Sequence, residues 1–163
     1  MARVYISLGS NTDREVRIRM VVDELRRGFG RLQLSPVYDS AAVGFDGSDF
    51  LNLVAALESP LDAGALYRAF HDIEDRLGRD RSLPKFASRP IDIDILLYDD
   101  LIIDMPGLRV PRPEILINAF VLKPLQDIAP DLVHPETGQS FAEHWRAMAA
   151  QAPRLDLYPM DLE

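Results

Sequence analysis

The chain contains no cysteine, which removes disulfide staples, thiolate nucleophiles and zinc-ribbon sites together. Cations are in deficit. Lys+Arg 18 against Asp+Glu 26 leaves a net charge of −8, the opposite balance to that of a free nucleic-acid binder. No apolar run approaches the ~20 residues that a membrane span requires. Met1-Ala2-Arg3-Val4-Tyr5 turns amphipathic at once and reads without the apolar core of a secretory signal. There is no internal repeat and no low-complexity tract, and the absence of Gly-x-x-x-x-Gly-Lys-Ser/Thr excludes the P-loop route to phosphate. What remains is ordinary globular composition over 163 residues, 47% hydrophobic and 27% charged. The expectation is one soluble, cytoplasmic domain spanning residues 1–163, long enough to build its own core.

Val4-Tyr5-Ile6-Ser7-Leu8 reads as a strand ending in the turn residues Gly9-Ser10-Asn11-Thr12-Asp13. Val16, Met20, Val21 and Leu25 follow at helical spacing, and Gly28 and Gly30 stop that helix. Leu32–Tyr38 reads as a strand interrupted at Pro36, and Phe50–Leu57 as a central strand whose lone internal polar residue is Asn52. Ser59-Pro60 supplies a helix-start signal, and Leu66, Phe70, Ile73 and Leu77 mark the buried stripe of a second helix ending at Gly78. Arg79–Pro90 is a polar loop, and Ile91–Tyr98 is the strongest strand pattern of all. Prolines break up the last third, leaving helical segments near Asn118–Ile128 and Phe141–Gln151. Arg154–Tyr158 either adds a final edge strand or stays loose. The order strand–helix–strand–strand–helix–strand predicts an α+β, ferredoxin-like split β-α-β fold with a C-terminal extension.

Chemistry concentrates between Gly78 and Asp104. Arg79 to Arg89 carries four cations and one carboxylate in a chain that is otherwise acidic. The strand after it carries Asp92 and Asp94, which the two-residue pleat turns to one face roughly 6.5–7 Å apart, with Ile91, Ile93, Ile95 and Leu97 on the other. At an effective dielectric near 20, such a pair repels by roughly 2–2.5 kcal/mol. A core strand keeps that arrangement only if a cation relieves it, either Arg89 or a bound metal. All-oxygen ligation by carboxylates, water and phosphate suits Mg²⁺, and an arginine-rich loop beside it suits a polyphosphate. Either feature alone would more often be an ion pair or a solvated face; their conjunction points to phosphate-plus-metal chemistry.

Lys85-Phe86-Ala87-Ser88-Arg89-Pro90-Ile91-Asp92-Ile93-Asp94-Ile95-Leu96 resembles the signature of the 6-hydroxymethyl-7,8-dihydropterin pyrophosphokinases of folate biosynthesis. Tyr5–Asn11, Phe50-Leu51-Asn52, Ile73-Glu74 with Gly78-Arg79, Val110-Pro111 and Phe120-Val121-Leu122 with Pro124-Leu125 fit the same family in the same order. The resemblance runs from about Val4 to His134. It implies a ferredoxin-like domain that transfers diphosphate from ATP to the pterin hydroxymethyl group and releases AMP. Asp92 and Asp94 inherit the ligation of two Mg²⁺ ions. Arg79 and Arg81 become loop cations closing over the phosphates, and Arg89 a fixed one. His71, Glu74, Ile95 and Arg112 match positions near the nucleotide. Asn52, Ser40, Ala41, Val43 and Gly44 match positions at the pterin edge, and Phe50 and Phe120 positions flanking the ring.

The resemblance implies the small-molecule partners pterin and ATP; the acidic charge and the lack of a long apolar run lead us to expect neither nucleic acid nor membrane, and the chain is expected to be a monomer. Three departures bear on rate and on the choice of pterin: Arg112 where the family usually has histidine, Asn118 where it often has a cation, and Phe86 for a frequent tryptophan. They motivate one alternative, a catalytically weakened paralogue that binds pterin or nucleotide. A ferredoxin-like RNA binder is a third reading, disfavoured by the net charge and by the lack of an aromatic RNP strand.

Overall fold

Val4, Ile6 and Leu8 alternate with Tyr5, Ser7 and Gly9, so strand β1 (Ala2–Ser10) has one wholly apolar face and one mixed face. The computed structural model describes residues 1–41, 48–78 and 90–162. After β1 come helix α1 (Arg14–Phe29), short strands β2 (Gln33–Leu34) and β3 (Tyr38–Ser40), and the long strand β4 (Phe50–Ser59). Helix α2 (Ala63–Arg76) and strand β5 (Asp92–Tyr98) complete the strand–helix–strand–strand–helix–strand unit. A hairpin of β6 (Ile103–Met105) and β7 (Leu108–Val110), helices α3 (Ala119–Ile128) and α4 (Phe141–Ala149), and strand β8 (Leu155–Leu157) form the extension. The sheet runs β5-β1-β4-β3-β8, with β2 also on β4, and every described pairing is antiparallel. That order is the ferredoxin-like arrangement expected from the element sequence.

Each sheet face carries its own apolar layer. Val4, Ile6 and Leu8 of β1 and Leu51, Leu53 and Leu57 of β4 pack under Ile18, Val21, Val22 and Leu25 of α1 and Leu66, Phe70 and Ile73 of α2. Tyr5, Val54 and Ala56 on the opposite face pack under Val121, Leu122 and Leu125 of α3 and Phe141 of α4. Burying one face of each helix against the sheet supplies the main driving force for this sandwich of layers.

Several local expectations need correction. The buried stripe of α1 is Ile18, Val21, Val22 and Leu25; Val16 and Met20 are exposed, because the helix is rotated toward a stripe that also includes Ile18. Ser59 ends β4 and does not cap α2. That cap is Asp62, which accepts the Ala65 N–H at 2.8 Å. Gly9 and Ser10 belong to β1, since β4 is long enough to pair with them. The β6–β7 hairpin lay unseen in the proline-rich stretch. The break of the second strand at Pro36, the stripe of α2 and the placing of α3 and α4 agree with the sequence pattern.

Candidate functional site

The pleat of β5 sets Asp92 and Asp94 on the α3/α4 face, as their spacing requires, while Ile91, Ile93 and Ile95 join the α1/α2 layer. Leu97 does not follow them. The β1–β5 register slips between Tyr5 and Ile6, so that Tyr5 opposes Leu97 and Ile6 opposes Ile95. This bulge at Leu96 turns both Leu96 and Leu97 to the α3/α4 side. Alternation is thus kept through the aspartates and reset just beyond them.

Register then assembles the site across the sheet. Asp92 lies opposite Gly9, Gly9 opposite Asn52, and Asn52 opposite Tyr38. These four residues form one transverse row on one face. With neighbouring strands 4.7–4.9 Å apart, the backbones of Asp92 and Asn52 stand roughly 10 Å apart, and only a glycine lies between them. Asp94 lies opposite Ser7, again a small residue. The result is a shallow floor with carboxylates at one end and a carboxamide at the other.

Asn52 is buried and donates from Nδ2 to Ser40 Oγ at 2.7 Å. A Cβ on Gly9 would stand 3.0 Å from Asn52 Oδ1 and 3.7 Å from the Phe50 ring. Asn52 cannot retreat without giving up Ser40. Gly9→Ala is therefore expected to destabilise the fold by about 1 kcal/mol, read as a lower denaturation midpoint. Behind Asn52, the Tyr38 hydroxyl donates to Asp127 of α3, which also accepts from Lys123 Nζ at 2.8 Å and Gln126 Nε2 at 2.6 Å. Burial, then the Asp127 carboxylate, pushes the Tyr38 phenol far up, so it remains a donor. The link ties α3 to β3. Phe120, near the start of α3, packs against the apolar layer on this same face, and Phe50 is half-buried at the end of β4.

At the sheet's other edge, Arg112 meets the carboxylates. Its backbone N–H donates to Leu96 O at 3.0 Å, Nε lies 2.6 Å from Glu114 Oε2, and Nη2 lies 3.6 Å from Asp94 Oδ1. The cation demanded by the aspartate pair thus includes one supplied from eighteen residues downstream of Asp94. Arg112, Asp94, Ile95, His71 and Tyr67 line a pocket of about 200 Å³ between α2, β5 and the β6–β7 turn. Glu74 lies beneath it, buried, with Oε2 accepting the Ile93 N–H at 2.8 Å and Oε1 3.8 Å from His71 Nδ1. Glu74 therefore holds the backbone between the two aspartates.

Of the residues singled out from the sequence, Asp92, Asp94, His71, Ile95 and Arg112 come together at the β5 edge. Asn52, Ser40 and Phe50 gather at the β3–β4 end, and Ala41 is exposed just beyond Ser40. Val43, Gly44, Arg79, Arg81, Phe86 and Arg89 lie outside the described residues. Gly9, read from the sequence only as a turn residue and part of a motif, and Tyr38 with Asp127 and Glu114 carried no expected role in the site. For Gly9 the signal was present, an isolated glycine in a strand pattern where another group comes close.

The donor set fits a hard divalent cation. Two half-buried carboxylates share a face above Gly9 and Ser7, and no third His, Cys, Asp or Glu joins them into a cluster among the described residues.

Comparison with known proteins gives a consistent result. The family described as 7,8-dihydro-6-hydroxymethylpterin-pyrophosphokinase matches residues 5–130. The 2-amino-4-hydroxy-6-hydroxymethyldihydropteridine pyrophosphokinase of Pseudomonas aeruginosa is 39% identical over 138 residues, covering 82% of this chain and 85% of that protein. The folic acid synthesis protein of Pneumocystis carinii is 40% identical over 147 residues, 87% of this chain. The chain spans only 20% of the length of that fungal protein. Among solved structures, wild-type Plasmodium falciparum HPPK-DHPS with pteroate superposes with a TM-score of 0.74 at 14% identity, over 92% of this chain and 43% of that one. At that identity the likeness concerns the fold.

Proposed function

Because the chain belongs to the 7,8-dihydro-6-hydroxymethylpterin-pyrophosphokinase family, we propose that it transfers diphosphate from ATP to 6-hydroxymethyl-7,8-dihydropterin, in folate biosynthesis. The pterin hydroxyl oxygen forms a bond to the β-phosphorus, the bond from that phosphorus to the α–β bridging oxygen breaks, AMP leaves, and the hydroxyl proton passes to solvent. The observation that carries this reading is the row Asp92–Gly9–Asn52, which sets an anionic metal-binding end and an amide-reading end on one open floor.

Asp92 and Asp94 would hold Mg²⁺, two ions on the family resemblance. Held there, Mg²⁺ would supply screening of the triphosphate that lets an oxygen nucleophile approach the β-phosphorus. Arg112, kept in place by Glu114, adds a permanent charge beside them. Arg79, Arg81 and Arg89 would complete the phosphate-binding cations. The nucleotide base and ribose lie against His71 and Ile95, with Glu74 holding the strand beneath them. Asn52 offers one amide acceptor and a second N–H to the pterin edge, its first N–H being given to Ser40. Phe50 and Phe120 flank the ring, and on the family resemblance Ala41, Val43 and Gly44 would offer backbone groups to its rim. The reading takes the chain as a monomer acting through a single domain over residues 1–163. No described helix is long and apolar enough to cross a membrane.

Incubating the protein with ATP, Mg²⁺ and hydroxymethyl-dihydropterin tests the reading directly. Pterin-dependent AMP is expected; ADP, or no pterin-dependent consumption of ATP, overturns it. The weakened-paralogue alternative finds no support among these relatives, whose names are those of pyrophosphokinases.

A further inference from the structure

The family match ends at residue 130, yet the segment beyond it reaches back to the Asn52 end of the floor. Strand β8 pairs with β3 so that Leu155 opposes Ser40 and Asp156 opposes Asp39. Two carboxylates facing each other across a ladder weaken it, and Arg154 answers both. Its Nη1 lies 2.8 Å from Asp156 Oδ2, and its Nη2 lies 3.6 Å from Asp39 Oδ1 and 2.9 Å from Asp49 Oδ2. Asp39 Oδ1 is buried and makes no hydrogen bond among the described residues, so this guanidinium is the charge that faces it.

Arg14 of α1 bridges the same two residues from the other side. Its Nη2 lies 3.1 Å from Asp39 Oδ2 and its Nη1 donates to Asp49 O at 3.4 Å. The tail holds Arg14 in turn: the Tyr158 ring lies 5.1 Å from its guanidinium, the Tyr158 N–H donates to Val37 O at 2.9 Å, and the Tyr158 hydroxyl bonds Glu15.

Position gives this clasp its meaning. Asp39 immediately precedes Ser40, and Asp49 immediately precedes Phe50. Ser40 and Phe50 are partners across the β3–β4 ladder, one pleat from Asn52, and Ser40 accepts the Asn52 hydrogen bond. We propose that Arg154 is a positioning residue for the pterin, acting through Asp39 and Asp49 on the Ser40–Phe50 pair beside Asn52. The proposal rests on the pterin reading above and assigns a role to the C-terminal segment.

The test measures equilibrium binding of hydroxymethyl-dihydropterin and of ATP, steady-state kinetics and thermal midpoint for the full-length wild type, Arg154→Ala, Arg154→Lys and Asp156→Ala. Arg154→Ala should weaken pterin binding and raise its KM about fivefold, while ATP affinity and kcat stay within about twofold. Arg154→Lys should recover part of the loss. Asp156→Ala, which leaves the Asp39 and Asp49 contacts in place, should bind pterin as the wild type does. Unchanged pterin binding in Arg154→Ala, with the wild type turning over, overturns this inference alone. Equal weakening of both substrates together with a lower midpoint also overturns it, because Arg154 would then only hold the tail. A wild type that binds no pterin overturns this inference and the proposed activity together.

Discussion

Asp92→Asn and Asp94→Asn are each expected to lower AMP formation by about three orders of magnitude, or about 4 kcal/mol of transition-state stabilisation. The substitution keeps the size of the side chain and removes its charge. On the proposed reading a hard cation would lose one of the two anionic ligands offered by the described residues, and the transferring phosphoryl group would lose screening where its charge develops. Folding should not suffer. Each single substitution removes a repulsion of roughly 2–2.5 kcal/mol before screening together with the carboxylate's own attractions, Arg112 in the case of Asp94, so the thermal midpoint should shift little. In Asp94→Asn the Arg112 guanidinium keeps Glu114 as its partner and is not stranded. Single-turnover AMP release, a Mg²⁺ titration and a melting curve for each variant check this. Wild-type turnover in both variants would refute the metal assignment. A collapse of the midpoint in either would show that the carboxylates are needed for the fold instead.

The different fates of neighbouring residues show what a linear pattern conveys. Asp92 and Asp94 share a face because the pleat has a period of two, a property of any strand, and no partner is needed to infer it. Leu97 breaks the same rule because the bulge at Leu96 arises in the pairing with β1, more than eighty residues upstream. Asn52 was conspicuous as a polar residue in an apolar run, but its alignment with Asp92 through Gly9 depends on two registers set by tertiary packing. Arg112 escaped as the partner of Asp94 for the same reason: its backbone is pinned to Leu96 after a hairpin of two three-residue strands too short to show alternation. Helix start signals failed where a strand simply ran on. Ser59-Pro60 has the chemistry of a cap, yet β4 extends through Ser59 to match Ala2, which leaves Asp62 as the residue that receives the first free amides. Composition and period thus convey which groups share a face; only register says which groups meet.

Asn52→Ala is expected to weaken pterin binding about a hundredfold, equivalent to about 2.7 kcal/mol, with ATP affinity unchanged within about twofold. The selectivity follows from the row itself. Asn52 stands two strands from Asp92, at the far end of a glycine floor, and the pocket at the β5 edge that collects His71, Ile95 and Arg112 includes no atom of it. A flat heterocycle with alternating donors and acceptors along its edge leaves those groups unpaired against the buried end of the floor when the amide is removed, and unpaired polar groups there cost more than a lost bond in water. Stability should fall by about 1 kcal/mol, because Ser40 Oγ loses its donor. Asn52→Asp sharpens the test. It keeps the shape and an acceptor but replaces the amide donors with charge, so Ser40 can still bond to it while the pterin meets only acceptors. That variant should bind pterin poorly while leaving ATP affinity unchanged, with a lowered midpoint from the carboxylate it buries. Equal loss of pterin and ATP affinity in either variant would mean that Asn52 braces the sheet as a whole, and the amide-reading role would fall to some other group on the floor.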